Sequence, residues 1–392
     1  AATLLYSTVW FLCCNGISNT KSLTMPPSDE NAAADGAKQQ PRQIPIVCPG
    51  HTRPLAEVQF CHIPEENRTF LISACHGEIY GVLVLWFLVF VRALITTTTT
   101  LFWTINILDR LPMLRDGTTG DWIGTFAGHK GAVWSCRMDS TGNLAATASG
   151  DFSVQVWDAI TGKSWRSFPH KHICKTVDFS PNSQFLVTGG HEGLVRIFDL
   201  TTDVSQNTPM MEFACDSSSE KKVIITKANW LSDSTLLVGG NDGKVRWFDI
   251  SQGENNVAQP IYVFETENAE VRDMEIRQVP SKGTTILTVA AGSTVYFFDI
   301  DARKRLHAHK MPIHFKDEGG ASLHPDGTKF VAGGSDLWVR VFDFETGQEL
   351  ECLKGHHGPI RCLRYSVPDG NVYASGSEDG TIRLWKTTLA AA

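Results

Sequence analysis

Two sets of side chains in this 392-residue sequence contain the groups of a hydrolytic triad: an imidazole, a hydroxyl and a carboxylate. Each set is followed by a tryptophan, and the two sets are His129, Thr147, Asp151 and Trp157, and His356, Ser375, Asp379 and Trp385. In a serine hydrolase the imidazole takes the hydroxyl proton while the carboxylate orients the ring. Here, however, the same set of residues recurs within a longer repeated pattern, whereas a catalytic triad would be expected only once. The recurrence therefore favours a structural hydrogen-bond network.

The clearest copy of the repeat is Gly355–Trp385, which contains two turn sequences and three short runs of alternating apolar residues. The turns are Pro368-Asp369-Gly370 and Glu378-Asp379-Gly380. In such turns Asp bonds to nearby backbone and Gly accepts a positive φ. The pattern predicts three antiparallel strands. A unit of this size cannot bury both of its faces alone, so it requires neighbouring copies.

The other copies are recognised by their aromatic endings, which recur at intervals of 41 to 50 residues. These endings are Trp157-Asp158, Phe198-Asp199, Phe248-Asp249, Phe298-Asp299, Phe342-Asp343 and Trp385-Lys386. A degenerate first copy begins at Gly50-His51, which brings the number of predicted units to seven. The spacing and the GH…WD pattern resemble the WD-repeat β-propeller family, in which each repeat corresponds to a four-stranded blade.

The chain is therefore predicted to be all-β, with a seven-bladed WD-repeat propeller over residues 43–388. Residues 43–47 are predicted to add an outer strand to the blade of Trp385, because a propeller closes when one terminus completes the blade made by the other. Residues 1–42 are predicted to be a disordered lead-in or a gene-model extension. Within them, residues 1–24 lack the basic region and the clear cleavage site of a signal peptide.

The predicted first blade is interrupted by an insertion at residues 77–111. The insertion contains a long apolar run over residues 81–108, and a run of this length is a transmembrane candidate. Arg92 near its centre and five consecutive threonines oppose entry into a bilayer. Three interpretations remain open: translated non-coding sequence, which we favour, a surface insertion, and a membrane anchor.

Composition and charge argue against several classes of protein. A formal net charge of −7 gives the chain no global attraction to nucleic acid or to an anionic membrane. Ten cysteines without a CxxC pair or zinc-ligand spacing indicate reduced thiols and predict no metal site and no cofactor. The segment Thr161-Gly162-Lys163-Ser164 resembles the end of a phosphate loop, but Trp157 stands where that loop requires its first glycine. No enzymatic activity is predicted.

A binding surface is predicted at the mouth of the central channel. In each repeat, the residue four positions before the first-strand aromatic should lie at the upper rim. These positions are Ala56, Trp134, Lys175, Thr226, Arg272, Gly319 and Arg361. Trp134, Lys175, Arg272 and Arg361 are the candidate partner-binding residues, because a basic rim with one aromatic suits an acidic or backbone-rich peptide. The alternative is that the three cations are ordinary solvated charges.

Several longer stretches narrow the resemblance. They are CPGHTRPL (48–55), FLISAC (70–75), PMLRDGTTGDWIGTFAGHKGAVW (112–134), HKHICKTVDFS (170–180) and ASLHPDGTKFVAGG (321–334), with GHHGPIRC and YASGSEDGTIRLW in the last repeat. Together they resemble the serine/threonine kinase receptor-associated proteins, also called Unr-interacting proteins. The resemblance covers roughly residues 43–386, apart from 77–111 and a weaker region at 200–300.

The resemblance implies a non-enzymatic scaffold of the cytoplasm and nucleus. Members of that family join the survival-of-motor-neuron (SMN) complex, which loads Sm proteins onto spliceosomal small nuclear RNAs. They also bind the RNA-binding protein Unr and dampen TGF-β signalling through receptor and Smad contacts. The expected partners are thus proteins, with RNA reached only indirectly, no membrane contact, and a monomeric propeller inside larger complexes. Two alternatives are a WD-repeat translation-initiation subunit and a propeller tethered to a membrane through residues 81–108.

Overall fold

The computed structural model describes residues 43–76, 111–202, 207–216, 222–251, 259–267, 269–315 and 319–387. The chain divides into two units, Ala1–Arg42 and Gln43–Ala392, and all described residues belong to the second. Their strands form seven four-stranded antiparallel sheets, which are the blades of a seven-bladed propeller. The prediction for residues 1–42 lies outside the described residues.

The strands follow one another from the inner to the outer edge of each blade. Blade 1 contains β2 (Leu55–Ile63), β3 (Arg68–Cys75), β4 (Met113–Asp116) and β5 (Trp122–Thr125). Blade 2 contains β6 (Val133–Met138), β7 (Leu144–Ser149), β8 (Ser153–Asp158) and β9 (Ser164–Pro169). Blade 3 contains β10 (Cys174–Phe179), β11 (Phe185–Gly190), β12 (Leu194–Asp199) and β13 (Met211–Ala214).

The remaining blades repeat this order, and the last one also takes the first strand of the chain. Blade 4 contains β14 (Ile225–Ser232), β15 (Thr235–Gly240), β16 (Lys244–Asp249) and β17 (Tyr262–Glu265). Blade 5 contains β18 (Val271–Val279), β19 (Thr284–Ala291), β20 (Thr294–Asp299) and β21 (Lys304–Lys310). Blade 6 contains β22 (Gly320–Leu323), β23 (Lys329–Gly333), β24 (Trp338–Asp343) and β25 (Glu349–Lys354). Blade 7 contains β26 (Ile360–Tyr365), β27 (Val372–Ser377), β28 (Ile382–Lys386) and, at its outer edge, β1 (Ile46–Cys48).

Closure of the ring depends on the pairing of β1 with β28. The two strands are antiparallel, with Ile46 opposite Leu384 and Cys48 opposite Ile382. Cys48 is buried in one hydrophobic cluster with both of these β28 residues. The structure thus confirms that the start of this unit completes the last blade, through a strand that begins three residues later and ends one residue later than the predicted 43–47. It joins strands from opposite ends of the unit and covers what would otherwise be an open sheet edge.

Neighbouring blades pack through glycines on their second strands. A Cβ atom at Gly333 would lie only 2.7 Å from Cγ2 of Ile360, which belongs to the next blade. The same close approach joins Gly189 to Ile225, also at 2.7 Å. Because a larger residue would push the blades apart, these positions let the branched side chain of each following inner strand reach the sheet before it.

Blade 1 is complete on both sides of its predicted insertion. β3 and β4 pair directly, with Ser73 opposite Met113 and Phe70 opposite Asp116. Residues 77–110 themselves lie outside the described residues, so the three interpretations of the insertion stay predictions. The polar segments 200–222 and 250–268 were predicted to connect blades or outer strands, and they contain the outer strands β13 and β17.

Candidate functional site

A chain of four hydrogen-bonded side chains crosses blade 7. The indole Nε1 of Trp385 donates to Ser375 Oγ at 2.8 Å, and Ser375 Oγ lies 2.7 Å from His356 Nε2. The other ring nitrogen, His356 Nδ1, lies 3.2 Å from Asp379 Oδ2. With the imidazole proton on Nδ1, each N–H and O–H in this chain has an acceptor. The structure therefore brings together the four residues that the sequence places in one network.

Blade 2 repeats the arrangement with threonine in place of serine. Trp157 Nε1 donates to Thr147 Oγ1 at 2.8 Å, and His129 contacts Thr147 at 2.7 Å and Asp151 at 2.8 Å. Thr147 and Ser375 are both 0% exposed. Since no substrate can approach either hydroxyl in this structure, the geometry supports a structural network and not nucleophilic attack.

Two further histidine–hydroxyl pairs escaped the sequence analysis. His51 Nε2 lies 2.8 Å from Ser73 Oγ in blade 1, and His170 Nε2 lies 2.9 Å from Thr188 Oγ1 in blade 3. Neither pair is followed by a tryptophan on the third strand of its blade, so the four-residue set seen in blades 2 and 7 is incomplete there. The spacing between histidine and hydroxyl could have revealed both pairs. It is 22 residues in blade 1 and 18 in blade 3, close to the 18 residues between His129 and Thr147.

We expect the folded protein to lose stability as pH falls from 7.5 to 5, with His356 contributing about 2 kcal/mol of that loss. Burial lowers the pKa of His356 to about 4, although the nearby Asp379 carboxylate opposes this shift. In the unfolded chain a histidine titrates near 6.5. The unfolded state therefore takes up a proton in this window that the folded state does not. The stability is fully present above about pH 6.5 and is lost as pH falls towards the folded pKa.

Equilibrium urea unfolding at pH 7.5, 6 and 5 measures this effect. Other histidines add to the slope, so the comparison is between the native chain and His356→Asn, which lacks the titrating group. We expect the free energy of unfolding of the variant to vary less with pH, by about 2 kcal/mol over this range. An equal pH dependence in both proteins would show that the imidazole of His356 is not held neutral by the fold.

The seven positions predicted for the rim converge at one end of the channel. Each comes from a different blade, and all line a single cavity of about 50 Å³. They are Ala56, Trp134, Lys175, Thr226, Arg272, Gly319 and Arg361. We call these seven residues the channel mouth. The binding role of Trp134, Lys175, Arg272 and Arg361 stays a prediction.

The cations of the channel mouth have close neighbours of their own. Lys175 Nζ lies 3.2 Å from the ring centroid of Trp134, which is a cation–π contact. Arg272 Nη2 lies 2.8 Å from Glu270 Oε2, in a pair that is only partly buried. Trp134 and Lys175 thus contact each other, and Arg272 forms an ion pair with Glu270.

Arg361 is paired in the same way. Its Nη2 atom lies 2.8 Å from Glu378 Oε1, and the glutamate side chain is 41% exposed. The mouth is therefore less basic than predicted and offers cations beside carboxylates. The sequence analysis missed Glu270 and Glu378 because it considered one aligned position per blade, and both residues lie outside that position. Both pairs are accessible to water, so each adds little stability and can exchange for a partner's charge.

Below the mouth, a buried carboxylate links three blades across the channel. Glu57 Oε1 lies 2.8 Å from Arg137 Nη1 and 2.7 Å from Lys227 Nζ, and Glu57 Oε2 accepts the backbone N–H of Cys136 at 3.0 Å. Glu57 is 1% exposed. Burial opposes ionisation of this carboxyl group, but the positive charges of Arg137 and Lys227 outweigh it and hold its pKa well below the usual range.

A second group of buried charges joins blades 5, 6 and 7. Arg364 makes a bidentate pair with Asp273, with both N–O distances at 2.6 Å. Arg277 pairs with Glu275 at 2.5 Å, and Glu275 also accepts the hydroxyl of Ser322 at 3.1 Å. Burial opposes the charge on Arg364, yet Asp273 raises its pKa above the usual value. We call the charged residues of this and the preceding paragraph the channel belt.

The sequence analysis missed the channel belt because its partners are far apart in the chain. Glu57 and Lys227 are separated by 170 residues, and Asp273 and Arg364 by 91. Each belongs to an inner strand, so its partner is determined by how the blades are placed around the ring. A charged residue between apolar neighbours, as Glu57 is in Leu55–Ile63, was the available signal.

The described part of the chain was also examined for metal-ligating clusters, disulfide bonds and membrane-spanning helices. Among its residues, no three His, Cys, Asp or Glu side chains are close enough to hold a metal ion. All eight cysteines within the described ranges are free thiols. A search of the same residues for a helix of membrane-spanning length and apolarity found none. The residues 81–108 of the predicted membrane anchor lie outside that search.

Comparisons with known proteins agree with this geometry. A profile described as "WD domain, G-beta repeat" matches residues 120–158, 162–199 and 347–386. Each matched segment starts near the outer strand of one blade and ends with the third strand of the next, so the sequence repeat is staggered relative to the structural blade. Each of these sequence repeats therefore contributes strands to two neighbouring blades.

Relatives of the whole propeller extend the match. The chain is 40% identical over 344 residues to a "Serine-threonine kinase receptor-associated protein" of Dictyostelium discoideum, which covers 87% of this chain and 98% of that relative. The Gallus gallus protein of the same name is 38% identical over 348 residues, with 89% of this chain and 84% of the relative covered. An "Eukaryotic translation initiation factor 3 subunit I" of Culex quinquefasciatus is 28% identical over 298 residues, with 70% and 87% covered.

Proposed function

The chain belongs to the serine-threonine kinase receptor-associated protein family of WD-repeat propellers, and we propose from this membership that it is a non-enzymatic scaffold for protein complexes. The observation that carries the proposal is the 40% identity that extends over 98% of the Dictyostelium relative. The alignment also covers 87% of this chain.

The geometry supports a scaffold for a physical reason. A closed ring of seven blades is rigid, and a rigid ring presents its two faces and its circumference to different partners at low entropic cost. The buried charges of the channel belt are paired with one another, which leaves the channel mouth as the polar contact surface. There, Trp134 with Lys175 supplies an aromatic anchor and a cation, while the carboxylates beside Arg272 and Arg361 accept backbone N–H groups.

For the finer function we propose that this scaffold takes part in the SMN complex and in spliceosomal small nuclear ribonucleoprotein assembly. We further propose that it binds an Unr-like RNA-binding protein and modulates TGF-β receptor and Smad signalling, in the cytoplasm and in the nucleus. What supports these roles is the family membership, together with a channel mouth suited to polar peptide segments.

The test is affinity purification of the tagged chain from eukaryotic cells, followed by quantitative mass spectrometry of its partners. We expect SMN-complex subunits to be enriched with the native chain. The double variant Lys175→Glu with Arg361→Glu places two negative charges at the channel mouth and is expected to reduce recovery of mouth-dependent partners by about 10-fold or more. Partners that use other surfaces should be recovered unchanged.

Lys304→Glu with Lys163→Glu is the matched control, because it makes the same two charge reversals at exposed positions, on the outer strand β21 and just before the outer strand β9. Equal recovery of all partners with the double variant and with the control would remove the channel mouth as a binding site. Enrichment of translation-initiation subunits in place of SMN-complex subunits would favour the alternative suggested by the 28% identical relative. Recovery of the chain with sedimented membranes would favour the tethered alternative.

A further inference from the structure

Phe152 occupies a backbone conformation that side chains rarely adopt. Its φ is +67°, and it lies in the turn between β7 and β8. The equivalent residue of three other blades is a glycine with φ between +67° and +77°, namely Gly193, Gly243 and Gly380. Glycine tolerates this conformation, whereas phenylalanine is strained there. Phe152 is also 44% exposed, so its ring does not offset the strain by joining the core.

The ring of Phe152 begins a row of aromatic rings that crosses onto blade 3. Its centroid lies 5.6 Å from that of His172, and the His172 ring stacks on His191 at 5.1 Å with an angle of only 2° between the planes. His172 is exposed and His191 is partly exposed. The row thus presents flat ring surfaces to solvent, beside the Trp134 ring of the channel mouth.

Lysines surround this row. Lys171 and Lys222 are exposed, and Lys175 lies over Trp134. The side chain of Lys222 runs past Gly193, where an added Cβ would lie 3.1 Å from its Cγ. Burial first, and then the neighbouring Lys175, His172 and Lys222, lower the pKa of His191, which reflects the positive field at this place. A chain with a net charge of −7 therefore carries a locally basic surface here.

The carboxylates that adjoin Phe152 and His191 in the chain, Asp151 and Glu192, are both bound within the blades. Asp151 is bound to His129 at 2.8 Å and also accepts the backbone N–H of Lys130. Glu192 accepts the backbone N–H of His172 at 3.1 Å and pairs with Arg196 at 2.6 Å. Their charges are used within the blades, so the outward side of the turns is dominated by rings and lysines.

We propose that this surface binds single-stranded RNA. We call it the aromatic platform and define it by the rings of Phe152, His172 and His191 and by the lysines Lys171, Lys175 and Lys222. Bases stack on exposed rings whatever their sequence, and phosphates pair with lysines along the same groove. An acidic peptide would satisfy the lysines but would leave the stacked rings without partners. The proposal extends beyond a protein scaffold and departs from the expectation that RNA is reached only indirectly.

The test measures binding of a fluorescein-labelled ten-residue oligouridylate to the purified full chain by fluorescence anisotropy. The informative variant is Phe152→Gly, which restores the residue found in the equivalent turns of other blades. We expect it to weaken binding by about 5- to 100-fold, the range for loss of one stacked base. Because glycine relieves the strained turn, the same variant should unfold at an equal or higher temperature than the native chain. A residue with a purely structural role would not combine these two results.

Lys222→Glu is the second variant, and it is expected to weaken binding and to reduce the dependence of affinity on salt. The matched controls are Trp122→Gly and Lys163→Glu, which remove an exposed ring and an exposed lysine away from the aromatic platform. None of these four residues belongs to the channel mouth, so a negative result here leaves the scaffold proposal intact. Three results would overturn the RNA proposal: unchanged affinity in Phe152→Gly, equal binding of heparin and oligouridylate with no effect of the ring, or binding of a phosphorylated peptide but not of RNA.

Discussion

Replacement of Glu57 by glutamine is expected to destabilise the propeller by about 3–5 kcal/mol. The carboxylate is buried and holds Arg137 and Lys227 at 2.8 and 2.7 Å. Glutamine has nearly the same size but no charge, so Lys227 would lose its paired carboxylate and Arg137 would keep only that of Asp178, at 3.5 Å. Removal of one member of a buried charge network is costly because the other members cannot recover their hydration.

Equilibrium urea unfolding, monitored by circular dichroism, measures this change. Glu66→Gln is the matched control, since Glu66 pairs with Arg68 at 3.7 Å where both side chains are about half exposed. We expect the control to change the free energy of unfolding by less than about 0.5 kcal/mol. Lys227→Met leaves Arg137 on the carboxylate, so it should cost less than Glu57→Gln. A loss below about 1 kcal/mol in Glu57→Gln would mean that water reaches the channel belt and screens its charges.

The blades were predictable from the sequence because their determinants are local. The predicted aromatic endings Trp157-Asp158 and Phe198-Asp199 are the last residues of the third strands β8 and β12. Turn residues such as Gly380, with φ +77°, end one strand and begin the next within a few positions. The residues of the channel mouth could also be predicted, because one aligned position per repeat gives one residue of each blade at the same end of the channel. The periodicity of the sequence therefore predicts both the fold and the location of the channel mouth.

The channel belt and the aromatic platform were not predictable in this way. Apart from the Arg277–Glu275 pair within β18, the belt contacts join inner strands of different blades, so they depend on the ring geometry and not on the repeat. Phe152 breaks the repeat, since its turn contains phenylalanine where other blades have glycine, and the sequence alone does not say where the ring points. The network of blade 1 was missed for a related reason, because His51 and Ser73 lack the tryptophan that makes the pattern visible. The role of a residue that departs from the repeat, such as Phe152, can be inferred only when the structure shows its contacts.

The charged residues of the propeller fall into an interior group and a surface group. The channel belt pairs its acids and bases inside the ring, where they fix the relative positions of distant blades. Charged residues remain at many surface positions, and those of the channel mouth and the aromatic platform are the ones proposed to bind partners. The proposed binding residues are therefore separate from the paired interior charges, so substitutions that test binding leave the belt pairs in place.

Trp385→Ala is expected to cost about 3–5 kcal/mol of the free energy of unfolding, the range for truncation of a buried large aromatic. Trp385 is 1% exposed and packs in the cluster that includes Tyr373 and Leu363. It also lies on β28, the strand that β1 pairs with to close the ring. The substitution therefore leaves a cavity and loosens the closing blade at the same point.

Trp385→Phe separates the two contributions of this side chain. Phenylalanine keeps much of the ring packing but cannot donate to Ser375 Oγ, so we expect a smaller loss of about 1–2 kcal/mol. Trp122→Ala is the control for removal of an exposed indole, since Trp122 is 61% exposed, and it should change the free energy of unfolding by less than about 0.5 kcal/mol. Circular dichroism during urea unfolding serves for all three. If Trp385→Ala were as stable as the control, the buried network could not be what holds blade 7 together, and the triad-like interpretation of His356, Ser375 and Asp379 would have to be reopened. A loss of the expected size shows that the Trp385 side chain stabilises blade 7.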